Sequence, residues 1–256
     1  MDGTPTCRLN DYVNTSLALN KIDHGSANVS SNLEAPQKLN FTLNNEVQKA
    51  IETSEKNFEE LIGQHGLYLA YYKMHGVSRP TYESAQVRKF QHGRTETCRT
   101  VSSESVAWVK AMEDPHVSAD EKTALFKKAL SSHVEYMANA VEGRGVDRHL
   151  LGLRLSLKSN EPKPSMFAQD IFSRSCHWNL STSQLSGELF DGYGWGEVVP
   201  DGYGVAYMVN ENNLSFNVAS RKEMRPEHLH HYLKEAATEM RRLFEQTLLE
   251  APKPKL

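Results

Sequence analysis

Ser118 to Glu121 reads S-A-D-E, a helix-opening capping box. Behind it, Leu125, Phe126, Ala129, Leu130, Val134, Met137 and Val141 recur on one helical face. A stripe of that length commits the chain to packing a long amphipathic helix against an apolar surface. Gly143 stands where the helix should end, because glycine adopts the left-handed C-terminal conformation at least cost. A second long helix is predicted after Pro226, with Leu229, Tyr232, Leu233, Ala236, Met240, Leu243 and Phe244 on one side. Between them "CHWNLSTSQL" and "GYGVAYMV" read as strands, and "LSFNVAS" alternates on Leu214, Phe216 and Val218. Long helices around a cluster of short strands require layers, since each element has an apolar face to cover. The expected fold class is α/β or α+β, a mixed sheet packed with helices.

Local signals divide the rest. Residues 1–42 are Ser/Asn-rich, carry no period and read as an irregular segment; 43–250 reads as one domain, and "APKPKL" (251–256) as a flexible tail. From Asn44 a helix is predicted with Val47, Ile51, Phe58, Leu61 and Ile62 on one face, interrupted by "GQHG" (Gly63–Gly66) before a second, more buried helix in "LYLAYYKMHG". Ser102 suits the N-cap of "SESVAWVKAM", and "DRHLLGLRLSL" reads as a short helix.

Composition excludes several classes. A net charge of −3 over 256 residues provides no excess positive charge for a nucleic-acid footprint. No apolar run approaches the ~20 residues of a membrane span. "MDGTPTCRLNDY" is neither a signal nor a transit peptide. Cys7, Cys98 and Cys176 fit no disulfide framework or zinc signature and suit a reducing compartment. "GYGWG" (Gly192–Gly196) lacks the strand-then-helix context of a phosphate loop and reads as a tight turn. His228, His230 and His231 cannot share one helix face, so a solvated role is expected for them.

Five segments acquire meaning together. "TYES" (Thr81–Ser84), "GRTET" (Gly93–Thr97), "DRHLLGL" (Asp147–Leu153), "STSQ" (Ser181–Gln184) and "VVPDGYGVAY" (Val198–Tyr207) occur in that order. In that order they resemble the C-terminal half of the choline/carnitine acyltransferase family, over most of the chain. The resemblance implies a coenzyme A-dependent acyltransferase fold and transfer of an acyl group between coenzyme A and the hydroxyl of carnitine or choline. It implies no metal and no bound cofactor, with coenzyme A or acetyl-CoA as co-substrate.

The same resemblance assigns residues. Ser183 supports the oxyanion, and Gln184 touches coenzyme A. Tyr82, Ser84, Thr95 and Arg148 bind a carnitine carboxylate, and Trp195 lies near the trimethylammonium. Tyr193 falls at the acyl pocket, where a bulky ring favours acetyl or another short acyl group. The carnitine branch is physically coherent: a buried carboxylate needs a charge-assisted partner, and a guanidinium beside hydroxyls is one. A cation over an indole face is likewise favourable. Two plainer readings stand beside these: Arg148 pairing Asp147 or a helix end, and Ser183 as an ordinary strand serine.

Two departures carry expectations of their own. The family's general-base histidine lies a few positions before its Asp-Gly-Thr-Pro element, here Asp2–Pro5, so none of the 11 histidines takes that place. The chain thus reads as truncated and inactive alone; the alternative is a non-catalytic module that binds a ligand or partner. Family members also carry a strand and coenzyme A-binding lysines where this chain jumps at Gln64-His65-Gly66, which predicts an incomplete sheet. Uncovered surface predicts association with the missing half or with itself. The family implies a peroxisomal or mitochondrial location, and the final "PKL" resembles the S-K-L peroxisomal address.

Overall fold

A computed structural model describes residues 12–18, 58–185, 189, 192–210 and 213–250. Its strands are β1 (Tyr12–Ala18), β2 (Thr81–Gln86), β3 (Thr95–Arg99), β4 (Leu180–Gln184), β5 (Tyr203–Asn210) and β6 (Asn213–Arg221). Its helices are α1 (Phe58–His75), α2 (Ser103–Glu113), α3 (Ala119–Val141), α4 (Asp147–Leu155), α5 (Ser165–Ala168), α6 (Asp170–Ser175) and α7 (Pro226–Glu250). The sheet order is β1-β6-β5-β4-β2-β3, parallel across β2–β4 and β4–β5 and antiparallel elsewhere. The mixed helix-packed sheet is the expected α/β class.

The two stripes read from the sequence mark the core. Phe126 and Ala129 of α3 and Leu229, Leu233, Ala236 and Met240 of α7 are buried. They pack with Leu67 and Leu69 of α1 and Trp108 of α2 against Val205, Tyr207, Phe216 and Val218 of the sheet. Lys73 of α1, only 10% exposed, pairs with Glu113 at 2.6 Å and Glu239 at 2.9 Å and so ties α1 to α2 and α7. The caps behave as local chemistry dictates. Ser102 and Ser105 form a reciprocal capping box, and the Ser118 hydroxyl accepts the Glu121 N–H at 3.2 Å. Gly143 follows α3 at φ +73°.

Two expectations need correction. Residues 1–42 are not wholly irregular: Tyr12–Ala18 is a strand on the β6 edge, with Tyr12 opposite Arg221 and Ala18 opposite Ser215. The Tyr, Val and Thr of "YVNTSLA" favour extended backbone, but the signal is short and its partner lies far along the chain. "GQHG" does not interrupt a helix, because α1 runs through it. A Cβ on Gly63 would lie 3.1 Å from the Tyr207 ring, so this glycine permits close helix–sheet approach rather than breaking the helix. Gln64 is fully buried, and its Nε2 donates to Thr100 Oγ1 and Thr182 Oγ1 at 3.2 and 3.1 Å. Among the described strands β2 pairs directly with β4. The proposed helix from Asn44 lies outside the described residues up to Phe58.

A polar pocket is sealed between helices and sheet. Tyr207 donates to Glu83 Oε1 at 2.8 Å. His133 Nε2 lies 3.9 Å from Glu83 Oε2, and the His65 ring is 6.0 Å from that of His133. Burial, reinforced by His65, pushes His133 down to about 3. At 3.9 Å the carboxylate is at the limit of pairing range, and burial prevails. The unfolded chain therefore takes up this proton below pH ~6.5, where the folded chain refuses it. Stability is expected to fall with pH from about 6.5 towards 3, with about 2 kcal/mol lost by pH 5 from this residue. Urea unfolding at pH 7 and pH 5, for wild type and His133→Gln, measures it. Equal acid sensitivity in both proteins would count against this assignment.

Candidate functional site

Strand alternation sorts the candidate residues. The register sets Tyr82 against Ser181, Ser84 against Thr97, Gln86 against Thr95 and Ser183 against Ala206. Tyr82, Ser84, Thr95 and Ser183 thus share one face of the sheet, opposite the face of Glu83, Thr182 and Tyr207 that meets the helices. All four are partly buried. Gln184, next to Ser183, belongs by register to the helix-side row at the end of β4.

Arg148 and Thr95 meet although 53 residues separate them. Arg148 Nε donates to the Thr95 carbonyl at 3.0 Å, and a terminal nitrogen donates to Thr95 Oγ1 at 3.3 Å. The guanidinium remains exposed, with donors left for an anion. The plainer pairing of Arg148 with Asp147 does not occur. Asp147 instead takes two bonds from Arg99, Nε to Oδ2 at 2.9 Å and NH2 to Oδ1 at 2.7 Å. Arg99 also stacks on Trp178 at 4.7 Å, and Trp178 lies 5.8 Å from the Tyr82 ring. Sequence reasoning missed Arg99 and Trp178. The available signal was parity: Arg99 is two and four positions beyond Thr97 and Thr95, hence on the same face.

The segment predicted to turn tightly at Gly192–Gly196 forms no turn there. Tyr193, Trp195 and Glu197 are partly buried, and the residues between them are exposed. The segment lies over β5 and β6. A Cβ on Gly204 would fall 2.5 Å from the Gly196 carbonyl oxygen, and one on Gly194 would fall 2.8 Å from the Asn217 side chain. Glu197 closes the contact by accepting from Arg221 Nε at 3.2 Å. Tyr193 donates to the Ser183 carbonyl at 2.6 Å and approaches the Tyr207 carbonyl at 3.1 Å, so its hydroxyl sits between β4 and β5. Burial raises its hydroxyl well above the usual tyrosine range. Trp195 tilts against it at 5.7 Å.

The described histidines are spread over the fold. His65 and His133 belong to the sealed helix-side pocket, His92 sits exposed on the β2–β3 hairpin at φ +60°, and His149 is exposed on α4. On α7, His228 and His231 are exposed as expected. His230 is partly buried, and burial lowers it to about 4. Among the described residues no cluster of His, Cys, Asp and Glu forms a metal site. No described helix is long and apolar enough to cross a membrane.

The family model for Choline/Carnitine o-acyltransferase matches residues 1–68 and 64–235. The chain belongs to this family. It is similar to the mitochondrial carnitine O-acetyltransferase of Saccharomyces cerevisiae, with 37% identity over 94% of this chain and 41% of that protein. It also resembles the carnitine O-acetyltransferase of Rattus norvegicus, at 34% over 83% of this chain and 39% of that protein. The choline O-acetyltransferase of Danio rerio matches at 39% over a shorter stretch, 62% of this chain and 25% of that protein. The chain spans about 40% of the length of the two carnitine enzymes. As a family member it is an acyltransferase relative whose two matched blocks meet within α1.

Proposed function

We propose that this chain carries the carnitine-facing wall of a short-chain carnitine O-acyltransferase, which moves an acetyl group between coenzyme A and the carnitine hydroxyl. One observation carries the reading: the exposed Arg148 guanidinium rests on both oxygens of Thr95, leaving further donors outward. Arg148 and Thr95, with Tyr82 and Ser84 on the same face, hold the carnitine carboxylate. Trp195 faces the trimethylammonium. The Ser183 hydroxyl donates to the oxyanion that develops on the acyl carbonyl, an interaction worth most where charge appears in the transition state. Gln184 contacts coenzyme A at the strand end. Tyr193, anchored on two carbonyls, closes the acyl end to long chains. The enzyme works in the mitochondrion or peroxisome; the name of the yeast relative supports the mitochondrion.

The alternative is a module that binds carnitine or a protein partner without turnover, the partner being a second acyltransferase half or another copy. The described histidines favour it, because the two nearest the core lie across the sheet from Ser183. Carnitine titrated into the purified chain, with choline as control, tests the shared element of both readings. Charge-assisted hydrogen bonds contribute about 1.5–3 kcal/mol in favourable settings, and solvent screening at this exposed arginine lowers that. Arg148→Ala is expected to weaken carnitine binding roughly tenfold and leave choline unchanged. Equal affinity for the two ligands, or an unaltered carnitine isotherm in Arg148→Ala, would overturn the assignment.

A further inference from the structure

The helix that presents Arg148 has no fully buried hydrophobic anchor, only the partly buried Leu150 and Leu151. None of the nine residues of α4 is buried, and Leu153 and Leu155 are 48% and 73% exposed. Helices in proteins gain most of their stability by burying an apolar face, so this one depends more than most on polar contacts. They come from β3. Arg99 grips Asp147, the first residue of α4, with its two-pronged guanidinium, while Ser175 O accepts from Arg99 NH1 at 2.7 Å and Trp178 backs the fork. Glu96, 3% exposed, accepts the Arg148 backbone N–H at 3.2 Å and the Thr97 N–H at 2.7 Å. A carboxylate there meets the partial positive charge and unpaired N–H groups of a helix start. Gly145 makes the approach possible, since a Cβ would collide with the Glu96 side chain.

We propose that Arg99 and Glu96 are positioning residues for Arg148. They fix the first turn of α4 so that the guanidinium settles on Thr95 rather than sampling solvent, and they touch no substrate themselves. Resting on the carboxylate-site reading, this makes specificity for a carboxylated alcohol depend on two residues that act only through Arg148. A bidentate fork is directional, so a lysine at position 99 keeps the charge but loses the alignment.

The experiment follows the Nε–H of Arg148 by NMR hydrogen exchange at low temperature in the full chain, in wild type, Arg99→Lys and Asp147→Asn. Carnitine and choline titrations run in parallel. Both substitutions are expected to speed exchange at Arg148 roughly tenfold or more, with β5 amides unchanged. Carnitine affinity is expected to fall by a similar factor and choline affinity to hold. Wild-type exchange rates at Arg148 in the variants would overturn the proposal, as would a parallel rise across β5, which marks general loosening. If wild type binds no carnitine, the carboxylate-site reading fails by itself. The exchange rates still decide whether Arg99 holds Arg148.

Discussion

The purified 256-residue chain, given acetyl-CoA and carnitine, is expected to release no free coenzyme A thiol above background. A positioned general base contributes roughly 10²–10⁴ in rate, and the buried His65 and His133 sit with Glu83 on the helix side of the sheet, across from Ser183. Oxyanion support and carboxylate binding stabilise charge but remove no proton from the carnitine hydroxyl. Turnover at the ordinary enzymatic scale of about 10 per second would mean that another group serves as base, and the binding-module reading would fall.

Trp108→Ala is expected to cost about 3–5 kcal/mol, lowering Tm by roughly 10 °C in a chain of this size. Trp108 is fully buried, its ring 5.2 Å from Phe126 and 5.6 Å from His65, where α2, α3 and α1 converge. Rigid secondary structure on three sides cannot collapse into the space an alanine would leave. Leu155→Ala supplies the contrast, because a residue 73% exposed should shift stability by less than about 0.5 kcal/mol. Thermal unfolding of both variants checks the difference. Similar melting temperatures would show that the Trp108 site repacks.

What was legible in the sequence was local. Ser102, Ser118 and Gly143 announce helix ends through groups within a few residues of themselves, and the stripes of α3 and α7 report burial by their spacing. β2 and β3 were not read as strands, because polar Glu83, Glu96 and Thr97 are buried there beside only the small Ala85 and Cys98. Glu83 is accommodated there by Tyr207, 124 residues away, and no local pattern announces such a partner. Gly63 and Gly66 misled for a related reason: glycine marks a break or a close contact, and only the opposing Tyr207 ring distinguishes them. The site divides the same way. Thr95 and Arg148 were brought together by family resemblance, whereas the Arg99–Asp147 clasp emerged from strand parity and tertiary placement.

The unbroken course of α1 imposes a screw-thread condition on the chain. The two family-matched blocks overlap at residues 64–68, inside this helix. Each added or deleted residue there would turn everything beyond it by about 100° and shift it by about 1.5 Å. One extra position would swing Gln64 off Thr100 and Thr182 and present a side chain where Gly63 meets Tyr207. Length changes at this junction are therefore tolerated only in steps that restore the pitch, or as excursions that leave the helix and return in phase.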